Sequence, residues 1–308
     1  MGDQDGGHVQ CDHSKGKGNP VAHPEMDDAL MQKEEWSLDD WVEMYEKVPF
    51  NKNQGGPSKE LVKYIKALLP SEPARVFVPL CGKSPDMRWL YERGNTVVGV
   101  EGVEMPVKEF FESHSDLKHT VEDVSFGKVY KVGNSFRCWT ICRERDGDRQ
   151  SINTKYPTIN PNIHQYPSHH FTILLLPQSH DERLQVYVCD FTQIPKGSLG
   201  HFDAGFDWGA YTAIRPADRP KYVEVVKDAM GENFRYFLEV CHDGPPDALG
   251  LPHSISFRTL KLDFGIKSIN QSSGVSLNVW VLATKDISAE WEVDTFFNSF
   301  LLLSDKDF

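Results

Sequence analysis

Short apolar runs alternate with amphipathic segments along most of the chain. Residues 75–80 and 96–101 are nearly continuous apolar runs, as in strands that are buried on both faces. Residues 85–93, between them, carry the signals of a helix, with Pro85 at the start and Gly94 just after the end. This unit of roughly thirty residues predicts a β-α-β crossover and therefore a parallel sheet.

The same alternation continues towards the C-terminus. Further strands are predicted at residues 184–189, 202–206, 236–240, 266–269 and 277–283, and further helices at residues 58–69, 103–114, 221–230 and 254–264. A first helix begins near Trp36, and Trp41, Met44 and Tyr45 form its amphipathic series. These elements predict an α/β fold with one doubly wound, mostly parallel sheet and an antiparallel edge formed by the last two strands.

Two segments lack this pattern. Residues 1–30 contain almost no apolar side chains, so they cannot bury enough surface to fold, and we expect a flexible tail. Residues 143–170 are rich in Pro, Asn, His and Tyr without periodicity, and we expect an inserted loop there, either mobile or disordered. Residues 31–308 would then form a single domain that carries this insertion.

Composition and charge exclude several classes of protein. Hydrophobic residues make up 39% of the 308 residues, too many for a disordered or fibrous chain. The net charge of −12 would repel a phosphate backbone and argues against a nucleic-acid partner. No apolar run approaches the ~20 residues of a membrane-spanning helix, and the 6 cysteines lack the spacing of a disulfide scaffold. We therefore expect a cytoplasmic monomer without a membrane partner. No metal site is expected either, because His8, Cys11, His13 and His23 lie in the flexible tail.

Candidate ligand-binding residues follow the first two strands. In doubly wound sheets, ligands bind outside the carboxyl ends of the strands, so the turn at Gly82 and the acid Glu101 would face one crevice. Glu101 lies 19 positions after Gly82, close to the ~20 at which an acid binds ribose hydroxyls. The alternative is a Glu that only caps a helix or faces solvent.

The features missing from this turn narrow the type of ligand. The sequence has no G-x-G-x-x-G pattern, and Pro85 removes one of the amide donors that would hold a phosphate at the helix start. An adenosine cofactor without phosphates fits this turn better than a dinucleotide does, and S-adenosylmethionine is the common one.

Four segments of the chain form a distinctive set, namely RVFVPLCGK at 75–83, GNTVVGVE at 94–101, FDAGFDWGA at 202–210 and AIRPADR at 213–219. In these segments the chain resembles the thiopurine S-methyltransferase family. Trp36 and Trp41, with Phe50 and Gln54, are similar to the family's N-terminal tryptophan segment and the F-x-x-x-Q that follows it, with longer spacings here. The likeness covers about residues 36–285, apart from the insertion.

This resemblance implies a Rossmann-like class I methyltransferase that binds S-adenosyl-L-methionine and releases S-adenosyl-L-homocysteine. It also implies the cofactor contacts: Trp36 and Trp41 over the cofactor, Leu80 and Gly82 at its methionine end, Glu101 at the ribose, and Asp190 and Phe191 near the adenine.

One position departs from the family pattern and bears on the acceptor. Where the family has an arginine in D-R-G-A, this chain has Trp208, which would present a π surface to the acceptor or only fill the pocket. Arg215 is a candidate substitute for that arginine, the alternative being an ion pair with Asp218. Phe50 and Trp208 would build a dry aromatic site for the acceptor.

The predicted function is methyl transfer from S-adenosylmethionine to a small molecule, with the sulfur of a thiol as the expected acceptor. If a base is needed, Asp207 is the candidate catalytic residue and His253 a second, against a turn Asp and a surface His. Two alternatives remain at this point: a nitrogen, selenium or halide acceptor, and a non-catalytic member of the fold in which Trp208 blocks the pocket.

Overall fold

The computed structural model describes residues 33, 36–47, 56–133, 138–143, 151–152, 170–175, 182–245, 250–266, 268–269 and 277–305. For 138–143, 151–152, 170–175 and 268–269 the description covers the backbone alone. The expected tail at residues 1–30, together with Phe50 and Gln54, lies outside the described residues.

The elements alternate along the chain much as the apolar pattern predicts. The helices are α1 (Leu38–Lys47), α2 (Lys59–Leu68), α3 (Pro85–Glu92), α4 (Glu104–Ser113), α5 (Ala210–Ala213), α6 (Arg219–Ala229) and α7 (Phe257–Phe264), with a short 3-10 helix at Phe191–Gln193. The strands are β1 (Arg75–Pro79), β2 (Thr96–Glu101), β3 (His119–Val124), β4 (Gly127–Val132), β5 (Cys138–Arg143), β6 (Ser151–Ile152), β7 (His170–Leu175), β8 (Leu184–Val188), β9 (Phe202–Asp207), β10 (Met230–His242), β11 (Ser268–Ile269), β12 (Asn278–Asp286) and β13 (Phe297–Ser304).

Local sequence accounts for several helix ends. Ser58, Ser84 and Ser256 precede α2, α3 and α7, and each hydroxyl accepts a hydrogen bond from a backbone N–H of the first turn. Pro85 occupies the first position of α3, where no N–H is needed. Gly265 ends α7 with φ +68°, a left-handed conformation that glycine adopts without strain.

Ten strands form one sheet in the order β11-β12-β13-β10-β9-β1-β2-β8-β4-β3. The central strands β10, β9, β1, β2 and β8 are parallel, while β13 and β4 run antiparallel at the two sides. The predicted fold, a doubly wound and mostly parallel sheet with an antiparallel edge, is confirmed. The edge itself differs in detail, because β11 pairs parallel with β12, and the antiparallel partner of β12 is β13, which the pattern did not predict.

Strand β1 is buried on both faces, as its apolar sequence predicts. Val76 and Val78 pack into one hydrophobic cluster, and Phe77, between them, packs into the other. The chain crosses from β1 to β2 on one side, whereas β9 pairs with β1 on the other, so the strand order reverses at β1. The crevice at this reversal, beyond the carboxyl ends of β1, β2, β8 and β9, is where such sheets bind ligands.

The predicted insertion at residues 143–170 begins and ends within a second, three-stranded sheet. Its strand order is β6-β5-β7, and Arg143 is the register partner of His170. The short strand β6 falls inside the predicted loop and pairs with β5, so this part of the insertion has regular structure.

Candidate active site

A large cavity of about 1090 Å³ opens at the carboxyl ends of the central strands. This volume is slightly above the range of roughly 300 to 1,000 Å³ typical of small-molecule sites. Nine of the residues predicted from the sequence line it: Trp36, Trp41, Leu80, Gly82, Glu101, Asp190, Phe191, Trp208 and Arg215. The structure therefore brings the predicted cofactor and acceptor residues together at one place.

The turn after β1 forms the floor of this cavity. Leu80 and Gly82 have φ of +41° and +51°, both in the left-handed region. Glycine adopts this conformation freely, but for Leu80 it is strained, a feature that clusters at ligand sites. The N–H of Cys81, between them, donates to the carbonyl of Val100 at 2.9 Å and fixes the turn against β2.

Glu101, the last residue of β2, is only 5% exposed. Its Oε2 accepts a hydrogen bond from the N–H of Gly82 at 2.8 Å, and its Oε1 accepts one from the N–H of Val103 at 3.0 Å. Burial raises the pKa of the carboxyl above its ordinary value, against the opposing effect of these backbone donors. The side chain lies at the cavity wall, where its free lone pairs can accept further hydrogen bonds.

Helix α1 lies over the same turn. A Cβ placed on Gly102 would come within 2.6 Å of Leu38 Cδ2, and one placed on Gly82 within 3.1 Å of the Tyr45 hydroxyl. Both glycines therefore permit close approach of the helix. Tyr45 lines the cavity but was not among the predicted site residues; its position four residues after Trp41, on the same helix face, is the signal that points to it.

The two predicted tryptophans pack against each other at this helix. Their ring centroids are 4.9 Å apart, and Trp36 is 4% exposed. The Nε1 of Trp36 is buried without a hydrogen-bond partner in the described part of the chain. A buried N–H donor left in this way is costly, and a bound ligand is one way to satisfy it.

Asp190 and Phe191 begin the short 3-10 helix after β8. The Asp190 side chain accepts hydrogen bonds from the N–H and the hydroxyl of Thr192, both at 2.8 Å, so it shapes this turn. Phe191 is stacked on Tyr222, with ring centroids 4.8 Å apart, and it also lines the cavity.

The segment after β9 supplies the other predicted acceptor residues. Trp208 is stacked against Phe206 and Phe300, with centroid distances of 5.9 and 5.8 Å. The Arg215 guanidinium donates to Asp218 Oδ2 from Nε at 2.6 Å and from Nη2 at 2.5 Å. Trp208 thus presents a packed aromatic surface, and Arg215 is held in the ion pair that the sequence left open as its alternative.

Asp207 does not line the cavity, and its geometry contradicts the catalytic role expected for it. The side chain is 0% exposed. Its Oδ2 accepts hydrogen bonds from the hydroxyls of Tyr222 and Tyr236 at 2.6 and 2.9 Å, while its Oδ1 accepts from the N–H groups of Ala210 and Tyr211. These four bonds fix the start of α5 and leave no path to a substrate proton.

His253 is also outside the cavity lining. Burial lowers the pKa of its imidazole to about 4, so the ring is neutral near pH 7. Its Nε2 is buried without a hydrogen-bond partner among the described residues, which differs from the surface position considered as the alternative. The structure therefore gives neither candidate base access to the cavity.

Within the described ranges, no helix has the length and apolar character needed to cross a bilayer. Those same ranges contain no cluster of three or more His, Cys, Asp or Glu side chains placed to hold a metal ion.

Comparison with known proteins adds independent information on the site. The family model for thiopurine S-methyltransferase matches residues 31–140 and 162–302, and the gap between the two matches largely overlaps the predicted insertion. The thiopurine S-methyltransferases of Rattus norvegicus and Oryctolagus cuniculus are each 28% identical to this chain, over 291 and 283 residues. The alignments cover 92% and 90% of this chain and 97% and 91% of those proteins.

A solved structure supports the fold. Phosphoethanolamine N-methyltransferase 2 of Haemonchus contortus, in complex with S-adenosyl-L-methionine, superposes with a TM-score of 0.50 at 10% identity, covering 88% of this chain and 60% of that one. At this identity the likeness concerns the fold alone. Because the family model spans both the cofactor turn and the segment after β9, the chain belongs to the thiopurine S-methyltransferase family and is an S-adenosylmethionine-dependent methyltransferase.

Proposed function

We propose that this enzyme transfers a methyl group to the sulfur of a small-molecule thiol. The observation that carries the proposal is Trp208, a half-buried ring that lines the cavity and is stacked against Phe206 and Phe300. The carboxylates nearby are already engaged, Asp218 with Arg215 and Asp190 with Thr192. Because these carboxylates are engaged, the site suits an acceptor that ionises without a catalytic base. A thiol with a pKa of about 8.5 or below ionises in this way near neutral pH.

The residues around the cavity fit the cofactor. The partnerless indole N–H of Trp36 is a donor for a carboxylate, and the remaining lone pairs of Glu101 are acceptors for ribose hydroxyls. The left-handed turn at Leu80 and Gly82 allows a ligand to lie close to the backbone. When bound, S-adenosylmethionine supplies a methyl group on a positively charged sulfur.

The chain's own contribution is mainly positioning and exclusion of water. Direct displacement needs the acceptor sulfur held ~3 to 3.5 Å from the methyl carbon and in line with the bond that breaks. Trp36 and Trp41 on one side and Trp208 on the other provide apolar walls for this alignment. Because positive charge disappears from the cofactor sulfur during the reaction, a dry cavity favours the step.

Supporting evidence for sulfur also comes from the relatives, which are themselves named thiopurine S-methyltransferases. The test is turnover of the purified protein with S-adenosylmethionine and a panel of thiols, amines and selenols, read by mass spectrometry of the methylated product. We expect thioethers as the main products. Methylation of amines or selenols with no thioether formed would overturn the assignment to thiols.

A further inference from the structure

Charged side chains of one sign predominate around the cavity. Among the residues that the structure describes, six acidic and three basic side chains line it: Glu92, Glu101, Glu109, Glu112, Asp190 and Asp218 against Lys83, Arg88 and Arg215. In a partly dehydrated space, such a wall repels anions more strongly than the same charges would in open water.

Each of those three cations is already paired with a carboxylate. Lys83 Nζ lies 2.5 Å from Glu109, and Arg88 lies 2.7 Å from both Glu92 and Asp116. Arg215 contacts Asp218 through two of its nitrogens. Within the described wall, therefore, no lysine or arginine side chain is left unpaired for an anionic ligand.

The Trp208 surface, which lines the same cavity as the Arg215–Asp218 pair, is electrically neutral and packed in place. Trp208 is stacked against two rings, with interplanar angles of 28° to Phe206 and 25° to Phe300. It supplies contact area for a flat or apolar acceptor and one uncharged N–H donor, but no positive charge to balance a carboxylate as a guanidinium would.

We infer that the acceptor site discriminates against molecules that carry an anionic group, and that its acceptors are uncharged apart from the reacting sulfur. This inference rests on the proposed thiol function. A carboxylate brought to Arg215 would have to displace Asp218, which would remain beside it as an unpaired like charge. Repulsion between the two carboxylates would then oppose the gain from the new ion pair.

A matched pair of aromatic thiols tests the inference, namely 4-mercaptobenzamide and 4-mercaptobenzoate, which differ in charge and little in size. Affinity is measured by calorimetric titration of the protein loaded with S-adenosylhomocysteine, and kcat/KM is measured with S-adenosylmethionine. We expect the amide to bind at least about tenfold more tightly than the carboxylate. Equal affinities, tighter binding of the carboxylate, or binding of neither thiol would overturn the inference.

The variant Asp218→Asn probes the ion pair directly. Asp218 makes no side-chain capping bond at α6, so the substitution removes a charge without removing a helix cap. We expect the ratio of the affinities for the amide and the carboxylate to fall by about three- to fivefold, which corresponds to the free energy of a partly exposed ion pair. The control is Glu224→Gln, which breaks another i,i+3 ion pair, with Lys221, on the same helix and outside this cavity.

These readouts separate this inference from the proposed function. If the amide binds more tightly but neither thiol is methylated, thiol methylation fails and the charge preference stands. If both thiols are methylated with the same affinity and the same kcat/KM, the charge preference fails and thiol methylation stands. An equal change of the preference in Glu224→Gln and Asp218→Asn would mean that overall charge, and not the Arg215 pair, sets it, which also overturns the inference.

Discussion

The backbone N–H of Gly82 donates a hydrogen bond to Oε2 of Glu101 at 2.8 Å, and this bond joins the turn after β1 to the end of β2. Because a carboxylate offers about four acceptor positions and two are used by backbone donors, Glu101 retains capacity for a ligand. Glu101, which the sequence spacing identifies as a ribose acceptor, therefore also holds together the two backbone segments that line the cavity.

The first prediction concerns this acid. We expect Glu101→Ala to weaken S-adenosylmethionine binding by about 1.5 to 3 kcal/mol, because the ribose hydroxyls lose a charged acceptor in a dehydrated crevice. Calorimetric titration measures the change, and Glu122→Gln, on the exposed strand β3, is the control. Unchanged affinity in a folded Glu101 variant would remove this residue from the cofactor site.

A second prediction concerns α1 as a cover over the cofactor. Since Leu38 and Tyr45 approach the glycines at the ends of β2 and β1, we expect binding of S-adenosylhomocysteine to protect the backbone amides of residues 38–47 from hydrogen exchange. Hydrogen exchange measured with and without S-adenosylhomocysteine tests this expectation. Protection confined to residues 80–101 would contradict the cover and leave the tryptophans as packing residues.

The third prediction follows from the pKa of Asp207, which burial raises from 3.8 to about 6 in spite of four hydrogen bonds. The folded state holds this proton more tightly than the unfolded state, so the stabilisation from the protonated group is complete below pH 4 and is lost as the pH rises through 6. Relative to Asp207→Asn, the wild-type free energy of unfolding should fall by on the order of 3 kcal/mol over that window. Urea unfolding of both proteins at several pH values measures it, and parallel curves would show that Asp207 has no raised pKa.

The fourth prediction concerns Trp208. We expect Trp208→Arg to change the ranking of acceptors while S-adenosylmethionine affinity stays within about 1 kcal/mol, because ribose recognition involves a different strand end. The measurement is kcat/KM for a neutral alkyl thiol, an aromatic thiol with a carboxylate, and an amine. A selective gain for the carboxylated thiol supports a place in the acceptor pocket, whereas a uniform loss would mean that Trp208 only packs against Phe206 and Phe300.

Sequence reasoning succeeded where burial leaves a clear pattern. The strands β1 and β2 are buried on both faces, and their continuous apolar runs predicted them and the position of the cavity. The hairpin of β3 and β4 was missed because β3 is almost wholly exposed and carries no apolar alternation. Burial made β1 and β2 visible in the sequence but was not sufficient everywhere, because β13 is mostly buried and was not predicted either.

The two strand-end acids illustrate what a sequence cannot reveal. Glu101 and Asp207 both follow apolar strands, yet one borders the cavity and the other is enclosed by the phenols of Tyr222 and Tyr236. These partners lie 15 and 29 residues further along the chain, and only the tertiary structure brings them to Asp207. Local spacing identified both acids but gave no information on the direction in which each side chain points.

The pairing of Arg143 with His170 has a practical consequence for work on this enzyme. Between Arg143 and His170 the chain adds β6 to one side of β5, while β7 pairs with β5 on the other side, so the register of β5 with β7 does not depend on the length of the intervening segment. Closing a longer loop costs little, about 0.6 kcal/mol for each doubling of its length. We therefore expect a fluorescent reporter or an affinity tag inserted between Ile152 and His170 to leave the pairing of β5 with β7 and the ten-stranded sheet unchanged.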